Sequence, residues 1–386
     1  MNRVYLDHNA TTPVLPEVLE VMLPYFGGVY GNASSIHHFG QQARSGVERA
    51  REQVAAFLNC RPSEVVFTAG GTEADNLAIL GSVRAAQASR KHVVTTAIEH
   101  HAVLNCCQAL EREGVGVTYV PVDASGVVNP EAVAAAIRPE TVLVTVMLAN
   151  NEIGTIQPVA EIARLARERG VLVHTDAVQG AGKVPLDANA LGVDLLTISG
   201  HKLYAPKGVG ALYVRRQTRI QAISFGGHHE RDRRAGTENV AGIVGFGKAC
   251  ELAAASLPVE AARLTALRDR LEREVLSRIP ESGINGDPLR RVPNTANIRF
   301  DYVEGEAMVI ALDLKGISCS TGAACSSGAI EPSHVLTAIG LRPDQARSSL
   351  RLSLGKQNTD ADVDQVLETL PEVVARLRAL SPAYHG

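Results

Sequence analysis

The run Thr141 to Leu148, TVLVTVML, carries no charge and does not alternate apolar with polar residues. A strand of that composition needs cover on both faces, as in a mostly parallel sheet flanked by helices. It has companions. Glu64 to Thr68, His92 to Ala97, Val171 to Thr175, Val193 to Ile198 and Gly210 to Val214 are further short strand-like runs. Segments of helical spacing lie among them: Gln41 to Asn59, Leu77 to Ala88, a stretch ending near Glu113, and Val159 to Arg169. This alternation predicts an α/β layer with ligands at the carboxyl ends of its strands. Gly71 with Thr72, His100, Asn151, Asp176 with Gln179, and Lys202 all follow strand ends, which points to one shared site.

Lys202 ends the turn Ser199-Gly200-His201-Lys202 after an apolar strand. It is either a strand-end loop residue or a covalent anchor, because a lysine near apolar walls and a second cation has a lowered pKa and forms Schiff bases. Asp176, in His174-Thr175-Asp176, is either a helix N-cap or the partner of a pyridinium nitrogen. Thr72 and Asp75 match a capping box, while Gly70, Gly71 and Thr72 at a helix start also make an anion cradle. The chain has no G-x-G-x-x-G or Walker pattern, so a nucleotide is the poorer fit. His100 stands where an imidazole could stack on a cofactor ring. Arg351, in an otherwise apolar strand, suits a two-pronged grip on a carboxylate.

The chain has 386 residues and a formal net charge of −3, which predicts two domains and gives no electrostatic footprint for nucleic acid or anionic membrane. No apolar run approaches a membrane span and the N-terminus lacks a signal-peptide pattern, so a cytoplasmic protein is expected. Six cysteines without a C-x-x-C pair predict neither a disulfide framework nor a metal site, and His228, His229 and Glu230 are not read as metal ligands. Cys106 and Cys107 read as core. Residues 1–15 are polar and turn-rich and must dock elsewhere. Helices to about Leu257 and from Val259 to Arg278 are expected to separate a large domain, 16–257, from a small α+β domain, 258–386. Within the latter, Ile317 to Gly328 is built from small residues and is expected to be exposed, with Cys325 and Cys319 in it.

Together these residues resemble the cysteine desulfurases of the NifS/IscS group, class-V aminotransferase-like enzymes of fold type I that use pyridoxal phosphate. The likeness runs from Tyr5-Leu6-Asp7-His8-Asn9-Ala10-Thr11-Thr12 through Gly71-Thr72-Glu73, Asn150-Asn151-Glu152, His174-Thr175-Asp176 and Ser199-Gly200-His201-Lys202 to Ala324-Cys325-Ser326 and Arg351. Arg234 to Asn239 and Val292 to Asn297 look most like the NifS branch. The resemblance implies a large domain with a mostly parallel mixed sheet, a small C-terminal domain carrying the Cys325 loop, and an N-terminal segment docked on the small domain. It implies that Lys202 carries the cofactor as a Schiff base, Asp176 pairs with the ring nitrogen, His100 stacks on the ring, and Gln179 and Asn151 touch the ring-hydroxyl side. Gly71, Thr72, Ser199 and His201 would hold the phosphate, with Thr237 from the second subunit of a homodimer. Asn151 and Arg351 would bind the substrate carboxylate. Cys325 would accept sulfur from L-cysteine as a persulfide and pass it to a scaffold protein of iron–sulfur assembly. Selenocysteine lyase or aminotransferase activity on the same fold is the alternative, and a non-catalytic iron–sulfur scaffold the alternative from another class. The family loop usually reads Ser-Ser-Gly-Ser-Ala-Cys-Thr-Ser; here it is Ser320-Thr321-Gly322-Ala323-Ala324-Cys325-Ser326-Ser327, preceded by Cys319, which is either incidental or a disulfide partner for Cys325.

Overall fold

The computed structural model of the chain describes residues 3–321, 332–382 and 384. A seven-stranded sheet runs in the order Val65–Thr68, Gly210–Val214, Leu195–Ser199, Leu172–Asp176, Thr141–Thr145, His92–Thr96, Gly116–Val120. From Leu195–Ser199 outward to Gly116–Val120 every pairing is parallel, whereas Gly210–Val214 is antiparallel to both of its neighbours. The sheet is therefore mixed and mostly parallel.

The absence of alternation in the strand sequences has a direct cause. Val144, Val173, Leu196, Ala211 and Tyr213 point into one core, shared with helices His38–Phe57 and Val240–Arg278. Leu143, Leu195, Leu212 and Val214 point into another, shared with helices Gly71–Ala85 and His101–Arg112, and Cys106 and Cys107 belong to it as expected. Successive residues of a strand face opposite ways, so both positions must be apolar. The edge strand Gly116–Val120 escapes the sequence reading because it is mostly part-exposed and carries no such run.

The expected helix break at Leu257 does not occur. Val240–Arg278 is one helix with Pro258 inside it. Proline there forfeits one backbone hydrogen bond, but burial on both sides holds the helix: Ile243 to Ala253 pack on the sheet core, and Leu264 to Val275 pack into the C-terminal core. This helix also departs from the expectation that nothing in the chain could cross a bilayer. By length and composition it could, yet half of its apolar window is buried in the protein. Gly247 lies so near helix His38–Phe57 that a Cβ would come within 2.6 Å of Ala50 Cα, which marks a packed core helix.

A second sheet, antiparallel, runs Ser320–Thr321, Ser349–Ser353, Thr295–Phe300, Ser282–Ile284. Helices Gly305–Leu314 and Asp360–Ala379 complete its core, which also takes in Val4 and Leu6 from the N-terminus. Val4–Tyr5 pairs parallel with Ile317–Ser318. That pairing corrects the expectation of an exposed segment as far as Thr321: Ile317 is fully buried and Cys319 nearly so, its thiol pushed up to about 12 by burial.

Candidate active site

A cavity of about 480 Å³ opens where the carboxyl ends of the parallel strands meet the N-terminal segment and the small sheet. Gly71, Thr72, His100, Asn151 and Asp176 line it, as do Gln179, Ser199, His201, Lys202 and Arg351. Thr237 does not; it lines a small neighbouring pocket with Glu230 and Arg234. Cys325 lies outside the described residues. Sequence reasoning missed Asp7, Asn9, Asp75 and Ser320, which share the lining.

Lys202 closes the short 3-10 turn Gly200–Lys202 directly after strand Leu195–Ser199. Its Nζ donates to Ala10 O at 2.6 Å and to Asn9 O. Burial, reinforced by the positive charge of Arg351, pulls its pKa down to about 8, against the opposing pull of Asp7 and Asp176. A neutral amine is therefore within reach near physiological pH, the state that attacks a carbonyl.

Asp176 ends the adjacent strand, and its Oδ1 accepts from Val178 N at 2.9 Å. Burial raises its pKa, while the Val178 bond and Lys202 counter that rise. Asp75 lies beneath. Of the two readings of this turn, the capping box is absent: helix Gly71–Ala85 starts at Gly71 with Gly70 as N-cap, and Asp75 turns inward to lie 3.6 Å from His174 Nε2. Glu73 takes over the local role, its Oε2 accepting from Ala69 N at 2.6 Å. Burial, then the charge of Asp176, raise the Asp75 pKa well above its ordinary value, and burial lowers His174 to about 3. Both shifts favour the uncharged forms of Asp75 and His174, and of the two carboxyls Asp176 is the one on which the charge of Lys202 acts to favour ionisation.

At the other end, the first turn of a 15-residue helix presents the backbone of Gly71 and Thr72. Gly70 has φ +154°, and a Cβ on Gly71 would sit 2.9 Å from Val178 Cγ2, so this approach requires glycine. Ser199 and His201 complete the rim. Burial and the nearby lysines lower His201 to about 4, which leaves a neutral ring within 3.2 Å of Thr11 Oγ1. His100 both caps helix His101–Arg112, accepting from Ala102 N at 3.1 Å, and faces the cavity; burial lowers it to about 4. The cap and the cavity-facing position are compatible.

Arg351 Nη2 donates to Asp7 Oδ1 at 2.8 Å and Nη1 to Asn151 O at 3.2 Å, leaving buried Nε without a partner. Asn9 is the hub between the two halves. It receives Lys202 and Gln179 on its carbonyl, and its Nδ2 donates to Asn151 O and Thr295 Oγ1.

This donor set fits pyridoxal phosphate. A buried carboxylate calls for a cationic ring nitrogen, a glycine-lined helix N-terminus for a phosphate, and a depressed lysine for an aldehyde.

The family described as Aminotransferase class-V matches residues 4–366. A protein of Trichormus azollae named cysteine desulfurase is 51% identical over 382 residues, 99% of this chain and 95% of its own. One of Methanosarcina thermophila named cysteine desulfurase IscS is 51% identical over 379 residues, 98% of this chain and 94% of its own. A solved structure titled NIFS-like protein superposes with TM-score 0.92 at 38% identity, over 97% of this chain and all of the other.

Proposed function

We infer, from the premise that this chain belongs to the class-V aminotransferase family, that it is a pyridoxal phosphate-dependent cysteine desulfurase converting L-cysteine to L-alanine. The observation that carries the reading is the meeting of Lys202, Asp176 and Arg351 in one cavity, with Lys202 lowered to about 8.

Lys202, Asp176, His100, Gln179 and Asn151 would hold the cofactor ring, and Gly71, Thr72, Ser199 and His201 its phosphate. When bound, pyridoxal phosphate supplies an electron sink for the carbanion at the substrate Cα. Arg351 and Asn151 orient the carboxylate of cysteine. Lys202 Nζ takes the proton from Cα. The Cys325 thiolate attacks the substrate sulfur and the Cβ–S bond breaks; its electron pair stays with Cβ, which takes up a proton, and Lys202 Nζ returns the proton to Cα to give alanine. The sulfur remains on Cys325 as a persulfide for an acceptor protein.

The same reading makes the enzyme a cytoplasmic homodimer, Thr237 completing the phosphate site of the other subunit, and gives it a scaffold protein of iron–sulfur assembly as acceptor, nitrogenase-related in the NifS branch. Residues 16–257 form the cofactor domain and 258–386 the small domain, with 1–15 docked on the latter. Burial of Val4 and Leu6 in the C-terminal core supports that docking.

The test is alanine and sulfide production from L-cysteine with a thiol reductant, for the wild type and Cys325→Ala in parallel. Equal amounts of both products from the wild type and neither from the variant are expected. Equal activity in the two proteins would remove Cys325 from the reaction and leave a lyase of another mechanism.

A further inference from the structure

Lys183 lies behind the site and has no role in the reaction described above. It sits one helical turn after Gln179, in the turn that follows strand Leu172–Asp176. Its Nζ donates to Gln179 Oε1 at 2.6 Å and to Asn9 Oδ1 at 3.3 Å. Both acceptors are neutral amides. Among the described residues no carboxylate pairs with it, although Arg351 has Asp7 and Lys202 is drawn toward Asp7 and Asp176. Lys183 lines a separate inner cavity of about 40 Å³, with His8 and Tyr204, and not the large one. Burial, then the charges of Lys202 and Arg351, push its pKa well down.

The consequence falls on Gln179. A carboxamide can be turned end for end, presenting either an acceptor or two donors to a given side. Here Oε1 is taken by Lys183 and one N–H of Nε2 by Asn9 O, at 2.9 Å. Turned over, the amide would set its oxygen against the Asn9 carbonyl, acceptor facing acceptor, and would take from the Lys183 N–H the Oε1 it now reaches. In the observed orientation one N–H of Nε2 is engaged by Asn9 O and, among the described residues, no partner takes the second, which is available to the cavity that Gln179 lines.

We propose that Lys183 is a positioning residue that locks the Gln179 carboxamide with its N–H toward the cofactor site, so that the site offers a donor to an anionic ring oxygen. The proposal rests on the reading of Gln179 as a neighbour of the ring hydroxyl. A donor held toward that oxygen favours its ionised form, so the pH at which the cofactor-loaded protein changes its visible absorbance is set partly by Lys183.

The experiment is an absorbance titration of the loaded enzyme for wild type, Lys183→Met, Lys183→Arg, Gln179→Leu and the Lys183→Met/Gln179→Leu pair, with thermal unfolding of each apoprotein alongside. Lys183→Met is expected to raise the proton affinity read from the midpoint by about 3- to 10-fold. Lys183→Arg restores the wild-type midpoint. In the Gln179→Leu background Lys183→Met adds nothing, because the lysine acts through the amide. Should the methionine variant not fold, Lys183→Gln, which lacks the charge and falls one atom short, takes its place with the same direction expected. An unmoved midpoint in Lys183→Met, or an equal shift with and without Gln179, overturns the proposal. A shift in Gln179→Leu with none in Lys183→Met leaves the reading of Gln179 standing and removes only the role of Lys183. No displacement in any variant removes both.

Discussion

Arg351 Nη2 and Asp7 Oδ1 lie 2.8 Å apart, though 344 positions separate the two residues in the chain. The guanidinium expected to grip the substrate is thus steered by the N-terminal segment, which also pairs through Val4–Tyr5 with Ile317–Ser318. One arm of the fork is fixed by Asp7 and another by Asn151 O, so the angle at which Arg351 meets a carboxylate is set before substrate arrives.

A lysine cannot reproduce that fork. Arg351→Lys is expected to raise KM for L-cysteine by about 10–100-fold with a smaller change in kcat. Asp7→Asn, which keeps a hydrogen-bond acceptor and removes the charge, should cost about 3–10-fold in KM. Steady-state alanine production checks both, and an unchanged KM in Arg351→Lys removes the arginine from substrate binding.

The amine of Lys202 should govern cofactor uptake by the apoprotein. With its pKa lowered from 10.5 to about 8, the neutral fraction reaches half near pH 8 and levels off about one to two units above that. The rate of appearance of the visible band on adding pyridoxal phosphate should follow that curve. Asp7 opposes the lowering, so Asp7→Asn should move the plateau to lower pH. A rate still climbing past pH 10 would mean an unperturbed lysine.

Glu99 gives a stability prediction with a definite sign. Burial raises it to about 8 from 4.5, against the bonds it accepts from Thr96 and Met147, and its Oε2 has no partner. A carboxyl with a raised folded pKa contributes fully below the unfolded value and loses that contribution as pH climbs to about 8. Glu99→Gln, which never ionises, should be near neutral at pH 4.5, where the carboxyl is still protonated in the fold, and stabilising by ~1–3 kcal/mol at pH 9. Urea unfolding at the two pH values reads the difference; equal effects at both would contradict it.

Gly210 holds the glycine turn at the helix start. A Cβ there would lie 2.8 Å from Gly70 C and 2.8 Å from Ile198 O, both backbone atoms that cannot swing aside. Gly210→Ala should destabilise the fold by about 2–4 kcal/mol and weaken cofactor retention, as the strand is forced off the Gly70 turn. Denaturant midpoints and the cofactor content of the purified variant are the readouts.

The sequence by itself determined the layer and its chemistry-bearing strand ends. Runs such as Thr141 to Leu148 are apolar throughout because both faces are covered, and that need is local to each strand, so it can be read from the strand alone. Lys202, Asp176, His100 and Gly71 followed, because each is fixed by its own strand or helix end. Tertiary structure alone decided the rest. Asp75 reads as a cap but faces inward, because helix Gly71–Ala85 begins earlier than its spacing suggests. Pro258 reads as a break but is spanned, because two cores hold the helix on either side of it. Asp7, Asn9 and Lys183 carry no local signature of a site. Their places depend on contacts between residues distant in the chain, Asp7 with Arg351, Asn9 with Asn151 and Lys183 with Asn9, that no local periodicity records.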